Sequence, residues 1–421
     1  MYQKTTLDNG LRLVTSQVPT SRSVCLGFFL GVGSRYEQAS EAGISHFVEH
    51  LCFKGTQRRP SSREVCLVIE GVGGMLNGGT DKEATVYWCK VARPYFSLAL
   101  DVLVDMLRCS LFDDRDVKKE RGIIMEEIAS SRDMPSQLVD LLIDEVLWPD
   151  QPLGRDVAGT RETVTTMERQ RLLDHWAKYY VPGNTVVTVA GDVEHQEVLT
   201  QVVKALGDWS GRQKYLWSSS DNKQNSPRLR VEARDIEQTH LCLALRGLPA
   251  NHPDRFTLDL LNVILGEGMT SRLFLEVRER LGLAYEVYSS INHFSDAGSL
   301  TIYAGVEPGR LEMALGAIIG EFARLRQDIP EEEIVKAKEF SKGRLLLRME
   351  DTRSVAGWLG GQELLLERIL TVDEVLAKID AISPSDLKQM AQRLIIGDKL
   401  SLAVVGPVRQ GEEHLQTLLK L

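Results

Sequence analysis

Pro94 and Pro308 stand about 214 residues apart, and each directly precedes an amphipathic helical pattern. A fixed φ near −65° suits proline to the first turn of a helix. The elements before each proline also follow the same order. In the first half an apolar strand pattern at 24–32 precedes helical patterns at 45–53 and from about 61, then an alternating strand at 84–91. In the second half a strand at 239–245 precedes helical patterns at 256–265 and 271–281, then alternating strands at 285–291 and 299–304. Between the halves, 211–227 contains Ser218-Ser219-Ser220-Asp221-Asn222-Lys223-Gln224-Asn225-Ser226-Pro227, polar and without apolar periodicity, which reads as a surface linker. A repeat of this length indicates two copies of a domain rather than a solenoid. The expected organisation is therefore one domain at 1–210, a linker at 211–227 and a homologous domain at 228–421. Strands with short connections beside long helices (115–147 and 331–377 at the two tails) give an α+β class, each domain a mostly antiparallel sheet packed on helices.

Composition narrows the function. A net charge of −9 argues against nucleic acid as a main partner, because phosphate binding needs a basic surface. The longest apolar run, 24–32, falls far short of the roughly 20 residues of a membrane-spanning helix, so no membrane association is expected. The chain opens on a strand-and-turn pattern around Asn9-Gly10 with no basic-then-apolar leader, and its six cysteines include no C-x-x-C pair. Reduced, buried thiols and a cytoplasmic location are the expectation.

The chemistry concentrates at Gly43-Ile44-Ser45-His46-Phe47-Val48-Glu49-His50-Leu51-Cys52-Phe53. On a helix, His46 and His50 lie one turn apart on one face, with Glu49 nearly on the same face. Two imidazoles at i and i+4 can reach one zinc ion, and a neighbouring carboxylate can act on water in the open coordination position. Phe47, Val48 and Leu51 supply apolar packing. Cys52 lies on another face and is assigned no metal role. Catalytic zinc needs a third protein ligand, and Glu120, Glu126 and Glu127 in 118–128 are candidates. Glu120 and Glu127, seven residues apart, share a helical face; Glu126 points elsewhere. The remaining histidines, His175, His195, His240, His252, His293 and His414, lack ligand spacing.

The H-x-x-E-H pattern, with further segments in order, resembles the inverzincin peptidases, the family of pitrilysin, insulysin and the mitochondrial processing peptidase, and most closely their short two-domain bacterial relatives. Those segments are Leu7-Asp8-Asn9-Gly10-Leu11-Arg12, Gly31 to Glu37, His46 to Thr56, Gly73-Gly74-Met75-Leu76-Asn77, Thr80 to Tyr87, Glu120 to Ile128, Gly268 to Phe274 and Arg278 to Tyr285, nearly the whole chain.

The resemblance implies His46 and His50 as zinc ligands and Glu49 as general base. It implies a third ligand at a glutamate 76 or 77 residues beyond the second histidine, which fits both Glu126 and Glu127; the face shared with Glu120 selects Glu127. Glu120 matches an acidic residue that orients a ligand, and Asn77 a residue near the substrate-holding strand. Arg278 and Tyr285 match a pair that contacts the substrate carbonyl from the opposite domain. The implied activity is zinc-dependent endopeptidase action on extended or unfolded peptides inside a chamber. Glu49 assists attack of a zinc-held water, Tyr285 stabilises the oxyanion, and the substrate binds as an added β-strand. The family encloses its chamber with four such domains, so a two-domain chain implies a homodimer, with Arg278 and Tyr285 serving the partner's site. Basic substrate residues are a candidate preference, with Asp140 and Glu168 the candidates to grip them. The rival is a non-catalytic scaffold or peptide-binding subunit of the same fold. Such subunits typically lose ligands or base, whereas this chain keeps His46, Glu49, His50 and Glu127. The second half, with Leu258-Asp259-Leu260-Leu261-Asn262 at the corresponding helix, carries no metal motif.

Overall fold

A computed structural model describes residues 2–408 and 412–420. The chain divides into two compact units, each built on one mixed, mostly antiparallel sheet covered by helices.

In the first unit, strands β1 (Tyr2–Thr6), β2 (Arg12–Gln17), β3 (Ser23–Leu30), β4 (Met75–Thr80), β5 (Thr85–Ala92) and β6 (Thr185–Gly191) lie in the order β1-β2-β6-β3-β5-β4. In the second, β7 (Arg228–Ala233), β8 (Thr239–Arg246), β9 (Ala284–His293), β10 (Gly298–Val306) and β11 (Ser401–Gly406) lie in the order β7-β11-β8-β10-β9. With β1 set aside, the two orders superpose strand for strand. Each sheet holds one parallel pair at the same place, β2 with β6 and β7 with β11. The duplication expected from the sequence is thus a duplication of topology.

The central strands β3 (SVCLGFFL) and β6 (TVVTVAG) are buried along nearly their whole length, so they read as continuous apolar runs rather than alternating ones. Both faces of the first sheet must therefore be covered. On one face lie α1 (Ile44–Cys52), α2 (Ser62–Glu70) and α3 (Phe96–Cys109), with Phe28, Phe47, Tyr87 and Leu103 in the core between. The chain continues through α4 (Asp114–Asp133), α5 (Pro135–Leu147), α6 (Arg161–Thr166), α7 (Arg169–Tyr179) and α8 (His195–Leu206). In the second half follow α9 (Arg255–Gly266), α10 (Leu311–Gln327), α11 (Glu331–Arg348), α12 (Thr352–Leu366), α13 (Val372–Ala381), α14 (Pro384–Leu394) and α15 (Glu412–Leu418).

The opposite face of the first sheet is covered by α12, from the second half of the chain. Val355, Ala356 and Leu359 pack on Val14, Cys25, Phe29 and Trp88. A Cβ on Gly360 would meet the Phe29 ring at 2.3 Å, so the helix can approach β3 this closely only with glycine there. Reciprocally, α5 from the first half lies in the second unit, where Leu138, Leu142 and Trp148 pack with Cys242, Ala244 and Ala403. The compact units accordingly comprise residues 1–129, 156–218 and 346–371, and residues 130–155, 219–345 and 372–421. This corrects the simple division at 211–227: each half lends one helix to the other half's sheet.

Two other expectations change. The helical tail at 115–147 is broken before Pro135, and that at 331–377 is three helices. The helix expected at 271–281 is a π-helical stretch, Phe274–Arg280. The linker has no regular structure but is anchored. Arg35, fully buried and paired with Glu83, donates through Nε and Nη2 to the Ser218 carbonyl at 3.3 and 3.1 Å. Farther along, buried Gln224 donates to the Leu400 carbonyl at 3.1 Å. All six cysteines are unpaired, with Cys25, Cys52, Cys89 and Cys242 buried and Cys66 and Cys109 partly exposed. Among the described residues no helix is long and apolar enough to cross a membrane.

Candidate metal centre

α1 carries the H-x-x-E-H pattern, and its start is fixed from outside the helix. Gly43 precedes it at φ +93°, a left-handed conformation open to glycine, and a Cβ there would strike the Ala158 carbonyl at 2.4 Å. The buried Glu37 carboxylate accepts from the Gly43 and Ser45 N–H groups at 2.8 and 2.9 Å, satisfying orphan donors of the first turn. Phe47, Val48, Leu51 and Cys52 anchor the inner face in the core. Burial pushes the Cys52 thiol up to about 12, and its side chain belongs to the core rather than to the cluster of potential ligands.

His46 and His50 project from the outer face, their ring centroids 4.5 Å apart. Their Nε2 atoms are 3.2 Å apart, and Glu127 Oε2, on α4, stands 3.8 Å from the first and 3.6 Å from the second. Two donors each about 2.0–2.1 Å from one tetrahedral ion would be about 3.4 Å apart. The three atoms therefore approximate one face of a zinc coordination shell, and the donor set fits the metal. These residues form the cluster of potential ligands found among the described residues, all within 4.8 Å of one another. Glu126 is exposed and is not part of that cluster.

The surroundings bias the imidazoles. His50 Nδ1 lies 3.2 Å from Glu120 Oε2, so the proton belongs on Nδ1 and the Nε2 lone pair is aimed at Glu127 and His46. Glu120 is fully buried and also accepts from Lys54 Nζ at 2.9 Å. Burial pushes its carboxyl up, but the hydrogen bonds from His50 and Lys54 outweigh that and hold it below the usual range. Burial, reinforced by His50, pulls His46 down to about 4, keeping it neutral and able to ligate.

Glu49 faces the β4 edge. Thr80 Oγ1 donates to its Oε2 at 3.2 Å. Burial raises the Glu49 carboxyl above its usual value, against the lowering pull of His50 and Thr80. β4 is the terminal strand of its sheet. Its hairpin closes with Asp81 N–H donating to the Ala84 carbonyl at 2.8 Å. By antiparallel alternation Leu76, Gly78 and Thr80 then turn their backbone N–H and C=O groups to the open edge, and their side-chain positions toward α1. A Cβ on Gly78 would lie 2.9 Å from the Phe53 ring and 3.2 Å from Glu49 Oε1. Asn77 is on the other face, opposite Trp88, and its Oδ1 accepts from the Gly78 N–H at 2.8 Å. The structure thus places Asn77 at the edge strand but on the face away from Glu49.

Arg278, Tyr285 and Asp140 lie in the second unit. The Arg278 guanidinium stacks 4.8 Å from the Tyr285 ring centre and 4.7 Å from that of Phe274, on the π-helical stretch, and Tyr285 is 79% exposed. Asp140 also belongs to that unit, on α5, where burial and then Asp144 and Glu286 raise its carboxyl to about 6. Glu168 is in the first unit, preceding α7. Residues 12–161 match the family model "Insulinase (Peptidase family M16)", and 166–340 match "Peptidase M16 inactive domain". A zinc protease of Bacillus subtilis is 36% identical over 97% of this chain and 98% of its own. The chain belongs to peptidase family M16. Another M16 relative, a zinc protease of Streptomyces coelicolor, is 37% identical over 97% of this chain and 90% of its own. At the level of fold, a protease of Helicobacter pylori superposes with TM-score 0.91 at 22% identity, covering 97% of this chain and 99% of that one. A chain of Complex III2 from Candida albicans gives TM-score 0.86 at 19% identity, with full coverage of both.

Four residues at the M16 centre had no role in the sequence reading: Glu37, Lys54, Gly78 and Thr80. Lys54 stands at i+4 from His50, and period-two alternation puts Gly78 and Thr80 on one face, so both signals were available locally. That this face meets Glu49 depends on how β4 docks against α1.

Proposed function

We propose that this M16 chain is a zinc-dependent endopeptidase acting on extended peptides. The observation that carries the reading is the convergence of His46 Nε2, His50 Nε2 and Glu127 Oε2, with Glu49 beside them at a free strand edge. Zinc, when bound, lowers the pKa of water toward 7 and polarises the substrate carbonyl. His46, His50 and Glu127 hold the ion, and Glu120 fixes the ring orientation and tautomer of His50. Glu49, as carboxylate, takes the proton from the attacking water and returns it to the leaving amine. The substrate adds to β4 as a further strand, pairing with backbone groups of Leu76, Gly78 and Thr80. For that, Asn77 must release the Gly78 N–H, and its amide becomes free to engage the substrate backbone. Arg278 and Tyr285 stabilise the developing oxyanion from the second domain of a partner copy in a homodimer.

Hydrolysis of a flexible peptide by wild type and Glu49→Gln, each after chelation and zinc restoration, tests the chemistry. Activity that returns with zinc in wild type alone supports it. No activity in either, despite stoichiometric zinc, supports a scaffold or peptide-binding subunit. The homodimer is tested by mixing inactive Glu49→Gln and Tyr285→Phe chains. Sharing across the dimer restores roughly a quarter of wild-type activity, whereas a fully active monomer in sedimentation refutes it.

A further inference from the structure

The face of the first sheet away from Glu49 is not closed at the β4 edge. A cavity of about 450 Å³ runs between β3, β5 and the start of α12, and reaches β4 at Gly78 and Gly79. Its sheet wall is Phe29, Val86 and Trp88; its far wall carries Arg348, Asp351 and Arg353. Nothing blocks the mouth, since a Cβ on Gly79 would meet no atom within 4 Å.

The charges in this cavity do not balance. Asp351 is committed twice: it pairs with Lys90 and caps α12 by accepting from Ser354 N–H at 3.1 Å. The Arg353 guanidinium lies over the Trp88 ring, 4.0 Å from its centre, and none of its donors makes a hydrogen bond among the described residues. Among the described residues neither Arg348 nor Arg353 has a carboxylate within ion-pair distance. The cavity therefore presents an aromatic and aliphatic wall with two guanidinium groups that lack counter-ions.

A strand added to β4 alternates its side chains between the two faces. Side chains in register with Gly78 face α1 and Glu49; those in register with Asn77 and Gly79 face this cavity. We propose that the cavity is a specificity subsite that takes an Asp or Glu side chain of the substrate, one residue removed from the side chain facing Glu49. The carboxylate is bound by Arg348 and Arg353, whose planar forks suit it, and the side-chain methylenes lie on Trp88 and Val86. This rests on the reading of β4 as the peptide-binding edge. It is separate from the candidate preference for basic residues, which concerns other positions.

The test uses zinc-loaded Glu49→Gln protein and fluorescent peptides amidated at the C-terminus, so that no terminal carboxylate competes. The peptides are identical except for Glu, Gln or Lys at one position, moved along the chain, and binding is read by anisotropy. The expected result is preference for Glu over Lys by about tenfold or more at one position. Arg348→Gln/Arg353→Gln should abolish that preference while leaving affinity for the Gln peptide within about twofold. Gly79→Val, which narrows the mouth, should weaken the Glu peptide selectively. A flat profile, or a Glu preference that survives in the double variant, overturns the subsite. Cleavage of the same peptides by wild type reads the hydrolase separately. Arginine-dependent Glu selection without cleavage sinks the peptidase reading and leaves the subsite standing; cleavage without selection does the reverse.

Discussion

Thr80 Oγ1 donates a hydrogen bond to Glu49 Oε2 across the gap between β4 and α1, at 3.2 Å. The strand proposed to hold the substrate therefore also holds the proposed base. Thr80→Val keeps the shape and removes the donor to a buried carboxylate, an effect of about 1–2 kcal/mol. The expected outcome is a fall of roughly tenfold in kcat/KM with bound zinc unchanged. Steady-state kinetics beside metal analysis checks it, and loss of zinc in this variant would show that Thr80 acts through the ligands instead.

Gly78 and Gly79 are adjacent but should tolerate substitution very differently. A Cβ on Gly78 presses on Phe53 and Glu49, whereas one on Gly79 meets nothing within 4 Å. Gly78→Ala is expected to lower kcat by about tenfold or more by displacing Glu49, and Gly79→Ala to stay within about twofold on a peptide lacking acidic residues. Equal effects would mean that the glycines serve only backbone freedom.

Glu120 holds His50 Nδ1 from beneath the site while also pairing with Lys54. Glu120→Gln retains an acceptor but removes the charge. The expected loss of zinc affinity is about 10–100-fold, measured by competition with a chromophoric chelator. An unchanged affinity would assign Glu120 to anchoring Lys54 alone.

His175, buried on α7 with its Nε2 3.2 Å from Ser45 Oγ, is pulled down to about 3 by burial and then by Lys178. The unfolded chain protonates near 6.5 and the folded one near 3, so the unfolded state binds more protons between these values. His175 thus contributes stability above pH 6.5 that is lost as pH falls toward 3, at up to about 1.4 kcal/mol per pH unit. Denaturant unfolding as a function of pH should show this slope in wild type and a shallower one in His175→Gln. Parallel slopes would refute the assignment.

The parts of the site legible in the sequence were those fixed by one helix or one strand. Helical periodicity puts His46 and His50 on one face whatever the rest of the chain does, and the seven-residue interval links Glu120 to Glu127 within α4. Period two puts Leu76, Gly78 and Thr80 together on β4. Asn77 illustrates the limit. Its position beside the β4 edge could be inferred, but its side chain falls on the face away from Glu49, because a step of one residue in a strand reverses direction.

Local sequence therefore determined the elements, their duplication, and the face of α1 that carries His46 and His50, since backbone periodicity and proline or glycine geometry act over a few residues. Tertiary structure alone decided which elements meet. The apolar stripes of α5 and α12 say that both helices are buried, but not that each covers the sheet of the other half. Hydrophobic burial is non-directional, and the choice rests on close fits such as Gly360 against Phe29. The same kind of docking brought Glu127 to His46 and His50, Thr80 to Glu49, and two unpaired arginines to the far side of the β4 edge.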